Sequence, residues 1–177
     1  MAVAAHLESE QARVSMRLEW NALEKALASK GSERKQHVEQ ALAFRAQRLV
    51  DETARNDERA QMRHEGLAEY TGTVLSGDAN ALAIDALQHG NDRPSFARSF
   101  AYVSGPAWGL LLDAYAPKWK ASIAKTNDDL PDLLPLKPAA KPTPALYGGD
   151  AIASEEHDRA IRRKQIIDDA TQRTSDA

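Results

Sequence analysis

The chain has 177 residues, 26 acidic and 23 basic side chains, five His and no Cys, for a net charge of -3. That length accommodates one ordinary domain with a real core, or a smaller domain with a tail, and the near-neutral balance gives no electrostatic basis for a nucleic-acid partner. Without Cys there is no disulfide scaffold, Cys-ligated zinc finger or thiol nucleophile; no apolar run approaches the roughly 20 residues that cross a bilayer.

The opening Met-Ala-Val-Ala-Ala lacks the basic and long apolar regions of a signal peptide. None of these features assigns a compartment. Helical periodicity then dominates. From Leu7 to Ser29 there is no Gly or Pro, and good helix formers prevail. Leu7, Val14 and Leu18 share one face, and Met16, Trp20, Leu23 and Leu27 share the opposite one. A helix apolar on both sides is sandwiched between other elements. Gly31 suits the C′ position that ends it. Ser32 is placed to cap a second helix with Val38, Ala41, Leu42 and Leu49 inward. Arg45 falls inside that stripe, so it either snorkels to the edge or meets a buried acid.

Asp57 is expected to cap a third helix reaching Leu75, and Asp78 a shorter fourth with Leu82, Ala83, Ala86 and Leu87 inward. Six aromatic residues crowd between Phe96 and Trp119, marking the core. Ser104-Gly105-Pro106 interrupts this segment, which reads as two helices or one sharply kinked helix. Five prolines between Pro131 and Pro144 predict an extended, poorly packed linker. Tyr147-Gly148-Gly149 reads as a turn. After Ser154 comes a final helix with Ile161, Ile166, Ile167 and Ala170 on its apolar side and both charges elsewhere. The expectation is an all-α, irregular multi-helix bundle. Its parts are a helical body over 1–130, a Pro/Gly-rich linker over 131–149 and a charged, loosely docked helix over 150–177.

The window Arg63-His64-Glu65-Gly66-Leu67-Ala68-Glu69-Tyr70-Thr71-Gly72 carries the chemical signal. Glu65 and Glu69, at i and i+4, project from one helix face. Gly66 and Gly72 weaken that helix, and local costs of this kind accompany functional sites. The plain alternative is an exposed acidic edge paired with Arg59 and Arg63. His64 falls with Ala60, Leu67, Thr71 and Val74 on the apolar side, as a core or boundary residue.

Glu-Gly-Leu-Ala-Glu-Tyr resembles the second metal motif of the gluzincin metallopeptidases, the thermolysin- and aminopeptidase-like zincins. The resemblance implies that Glu65 is the third protein ligand of a zinc ion and Glu69 an acid behind a ligand His. It also points to Tyr102 as a candidate oxyanion stabiliser, against plain core packing. His64 stands where the family has Asn. Leu18-Glu19-Trp20, Ala41-Leu42-Ala43-Phe44-Arg45 and Ser99-Phe100-Ala101-Tyr102 are similar to a group of bacterial proteins of uncertain function. On that resemblance the chain is an internal piece of a longer protein, with the zinc-type motif upstream.

His6, His37, His64, His89 and His157 include no i, i+4 pair, so there is no His-Glu-x-x-His. A catalytic zinc needs three protein ligands and an open position. Zinc and a peptide substrate are therefore expectations for a complete protein, and no zinc binding or hydrolysis is expected of this chain alone. An apolar groove left by a missing helix would support self-association. The competing reading is a non-catalytic helical interaction or structural module, with Glu65 and Glu69 solvated and the tail helix as its docking element.

Overall fold

The computed structural model describes residues 3–175, and all the regular structure among them is helical. Met1 and Ala2 of the predicted body and Asp176 and Ala177 of the predicted tail lie outside them. The chain is an all-α, multi-helix fold, as its periodicity implies.

Helix α1 (Glu10–Ala28) starts at Ser9, whose side chain accepts a hydrogen bond from the Ala12 N–H at 3.3 Å. Its two-sided apolarity has the predicted consequence. α1 is the central helix, touching α2 (Gly31–Arg48), α5 (Ala79–Gln88), α6 (Phe96–Tyr115) and α8 (Gly149–Ser175). Between α1 and α2 the chain reverses at Gly31, whose φ of +57° is the left-handed conformation that favours glycine.

The third helical segment starts earlier than expected. Asp51, not Asp57, caps α3 (Glu52–Gln61), accepting from the Ala54 N–H at 3.0 Å. No Gly or Pro lies between Leu49 and Asp57, so the helix extends back to the first side chain able to cap it. A π turn (Met62–Gly66) then leads into α4 (Leu67–Leu75), the Leu67 N–H bonding to the Met62 carbonyl five residues back. Asp78 caps α5 as predicted, accepting from the Ala81 N–H at 3.2 Å.

α6 carries the core. Phe96, Phe100, Trp108, Leu111 and Leu112 are fully buried, and Trp20 of α1 packs against Phe96 with ring centroids 4.6 Å apart and planes tilted by 54°. Of the two readings of the Ser104-Gly105-Pro106 break, the single helix is realised: α6 runs through Pro106. Proline lacks the N–H that would reach the Tyr102 carbonyl, a cost of about 3 kcal/mol in an ordinary helix. Complete burial of Val103, Ala107 and Trp108 on either side offsets it.

The Pro-rich segment is extended but not poorly packed. Leu130, Leu134 and Tyr147 are buried in the same core as the helices. The segment straps α2: the Ala139 N–H bonds to the Glu39 carbonyl at 2.8 Å and the Thr143 N–H to Gln40 Oε1 at 2.9 Å. Its prolines offer no N–H, so few donors need satisfying, and the leucines between them supply apolar area. The final helix begins at Gly149, ahead of the predicted start, and its first half is firmly attached. Ile152 is buried, and Glu156 pairs with Arg13 at 2.6 Å and with Arg17 at 3.1 Å. From Lys164 to Thr174 it is exposed, which fits the charged half of the predicted tail.

Candidate functional site

Glu65 sits in the π turn between α3 and α4. The turn is held in place by its neighbours. Arg63 donates to the Asp128 carbonyl and to the Ile123 carbonyl at 3.1 Å. Gly66 lies directly against α6: a methyl group on Gly105 would come within 2.5 Å of the Gly66 Cα. Only glycine allows the two backbones to cross that closely. The same part of α6 carries Tyr102, so the turns bearing Glu65 and Tyr102 adjoin.

The Glu65 carboxylate is half-buried. Its Oε2 is shielded from solvent and has no hydrogen-bond partner, and burial pushes its pKa above the ordinary carboxylate value. Buried polar atoms without partners are rare in native proteins and call for an explanation. Glu69, one turn further on, is exposed. Tyr102 is 41% exposed rather than packed in the core. His64 is exposed too, which corrects its predicted place on the apolar side. Thr71 and Val74 of the same predicted stripe are exposed as well, because α4 packs on α6 through Gly66 and Tyr70, about a third of a turn away. Among the described residues no three His, Asp or Glu side chains converge to hold a metal ion. Glu65 supplies one carboxylate, so the residues present do not by themselves fit a zinc site.

A second cluster lies under α2. Arg45 meets buried acids rather than snorkelling, and its partners are neither Glu65 nor Glu69. It donates to Glu58 Oε2 at 3.0 Å and to Asp129 Oδ2 at 2.6 Å. Arg48 donates to both Glu58 oxygens, at 2.7 and 2.9 Å, and to Glu19 Oε2 at 2.7 Å. His6 Nε2 lies 2.8 Å from Glu58 Oε1, and the Trp108 indole N–H donates to Glu19 Oε1 at 3.2 Å. All five ionised groups of the Arg45, Arg48, Glu19, Glu58 and Asp129 set are buried.

Burial alone would raise the Glu58 pKa, but Arg48, the His6 hydrogen bond and Arg45 hold it far below the usual range. Asp129 goes the other way, to about 6: burial raises it and Asp132 adds to the rise, while Arg45 only partly opposes them. The charge balance explains the split. Glu58 bonds both guanidinium groups and His6, whereas Asp129 bonds Arg45 alone and has Asp132 beside it. Arg45 had a visible sequence signal as a cation in an apolar stripe. Glu58 and Asp129 had none, because each sits among other charged residues in the sequence.

Beside this cluster is a cleft of about 890 Å³ whose lining includes Val14, Leu18, Arg48, Val50, Asp51 and Ala153. Its volume is in the range of small-molecule sites. Val14 and Leu18 belong to the apolar face of α1 opposite Met16, Trp20, Leu23 and Leu27. None of Glu65, Glu69 and Tyr102 lines it. No protein family, curated protein or solved structure matches the chain.

Proposed function

We propose that this chain is the helical part of a gluzincin-like, metallopeptidase-related protein, in which Glu65 serves as one carboxylate ligand of a zinc ion and the chain does not hydrolyse peptides alone. One observation carries the reading: Glu65 Oε2 is buried without a partner in a π turn. π turns occur frequently at functional sites. An orphaned carboxylate oxygen held by a rigid crossing of Gly66 on Gly105 is poised for a cation that the described residues cannot complete. The remaining ligands and the general base would come from outside this chain, and peptide is the substrate class of the completed assembly.

Calorimetric zinc titration tests this. The chain alone is expected to show no tight stoichiometric site. The product of the longest reading frame that contains it is expected to carry a His-Glu-x-x-His segment and one zinc ion per chain. There Glu65→Ala should weaken zinc binding at least about tenfold, while Glu69→Ala should act less. Tight zinc on this chain alone, or unchanged zinc affinity in the longer Glu65→Ala product, would overturn the reading.

A non-catalytic interaction module is the second reading. The exposed half of α8, with Ile166 69% and Ile167 56% exposed, is the observation that favours it.

A further inference from the structure

The docked half of α8 lies along one line of residues. Ile152 is buried, Glu156 pairs with Arg13 and Arg17, and Arg159 and Arg163 reach Glu8 at 3.4 and 2.6 Å. At 100° per residue Ile166, Ile167 and Ala170 fall within about 60° of that line. The face that fastens α8 to the body therefore continues past the body's edge as an apolar stripe facing solvent. Ile161 lies on the opposite side of the helix.

The charges beside this stripe are arranged about its centre. Arg162 and Asp169 flank it on one edge. Their midpoint falls immediately before Ile166. Two such helices laid antiparallel, with a two-fold axis near Ile166, bring Arg162 of each opposite Asp169 of the other. A parallel arrangement would instead set the basic run Arg162-Arg163-Lys164 beside its own copy.

From this we infer that the exposed half of α8 is a homodimerisation element, pairing antiparallel with α8 of a second copy across Ile166 and Ile167. The inference is independent of the role of Glu65. It moves self-association from the expected apolar groove to the tail helix. The helical segment beyond Arg163 spans about 18 Å, and two such segments bury less than the roughly 1,200 Å² of a standard interface. The dimer is consequently weak and concentration-dependent. It also satisfies a local need, since a short helical end with an exposed apolar stripe is marginal alone.

Sedimentation equilibrium on the full chain from about 5 µM to about 1 mM should show a reversible monomer–dimer equilibrium in the micromolar range. Ile166→Asp should abolish it. Arg162→Glu and Asp169→Arg should each raise the Kd at least about fivefold, and the double variant should return to within about twofold of the parent. These positions are exposed, so the body folds in every variant. The chain has no Cys, which gives a second readout: Ile166→Cys should oxidise rapidly to a disulfide-linked dimer, and Ile161→Cys should not. A monomer throughout the range, a double variant that does not recover, or equal oxidation at both positions would overturn the proposal.

Discussion

Two charged regions of this molecule treat their carboxylates in opposite ways. Beneath α2, both oxygens of Glu19, both of Glu58 and both of Asp129 have donors, and every ionised group is buried. At the π turn, Glu65 has one oxygen shielded from water with nothing to bond it. The first region is closed chemistry. Every carboxylate oxygen there is bonded, and the one unpartnered atom is on a cation, Arg48 Nη1; the bonds tie His6, ahead of α1, to α1, α2, α3 and the chain after α7 (Trp119–Ile123). The second is open chemistry on a rigid support. The contrast separates charge used for architecture from charge available to a ligand, and each half of it can be tested by substitution.

The largest effect is expected at the closed cluster. Glu58→Ala removes the acceptor shared by Arg45, Arg48 and His6 and leaves two buried cations underpaired. Removing one partner of a buried pair costs about 3–5 kcal/mol, a large part of the 5–15 kcal/mol typical of a domain. The urea midpoint should fall sharply, and a midpoint within error of the parent would show the cluster to be dispensable.

Gly105→Ala comes next and acts on the support of the open site. The added methyl group would meet Gly66 backbone atoms at 2.5 to 2.8 Å, and no flexible side chain is there to yield. Overpacking of this kind costs about 1–3 kcal/mol. Circular dichroism melts should show the loss, with the π turn as the segment that gives way.

A smaller effect separates two carboxylates of the closed cluster by pH. The Asp129 pKa is raised in the folded state to about 6, so the folded chain binds that proton more readily than the unfolded one. Its contribution to stability grows as pH falls through 6 and fades as pH rises through it. Glu58 has the opposite sign. Its folded pKa is depressed, so its contribution is present above the ordinary glutamate range and is lost as pH falls below it. Stability should therefore rise modestly from pH 7 toward pH 5 and then drop. Asp129→Asn should flatten the first limb and leave the second; a first limb unchanged in that variant would assign it to another group.

The smallest effects belong to the open site. Glu65→Gln removes a half-buried charge whose burial disfavours ionisation, so stability should not fall. Glu69→Ala, on an exposed position, should stay within about 0.5 kcal/mol of the parent. A loss from Glu65→Gln as large as that of Glu58→Ala would erase the contrast and make Glu65 structural.

Much of the fold was legible because helices declare themselves locally. The two apolar faces of α1 told of a central helix, Asp78 marked a cap, and the aromatic run marked the core. The misreadings arose where a residue's fate depended on something distant. Asp51 and Asp57 are equally good caps by local chemistry, and only the break after Leu49 selects between them. The Pro-rich strap looked unattached because its hydrogen bonds go to α2, about a hundred residues earlier. His64 shares a stripe with Leu67, Thr71 and Val74, but the side of α4 that packs is chosen by the meeting of Gly66 and Tyr70 with α6, which a local period does not encode.

The sequence by itself determined the helical class, the isolation of Glu65 from any His pair and the charge pattern of α8, because each depends on residues within a few turns of one another. Only the tertiary structure decided that Arg45 and Arg48 would be neutralised by Glu19, Glu58 and Asp129, and that Glu65 would keep an unpartnered oxygen. Those outcomes depend on which elements meet, and the energy of a buried charge is set by its neighbours in space rather than by its neighbours in the chain.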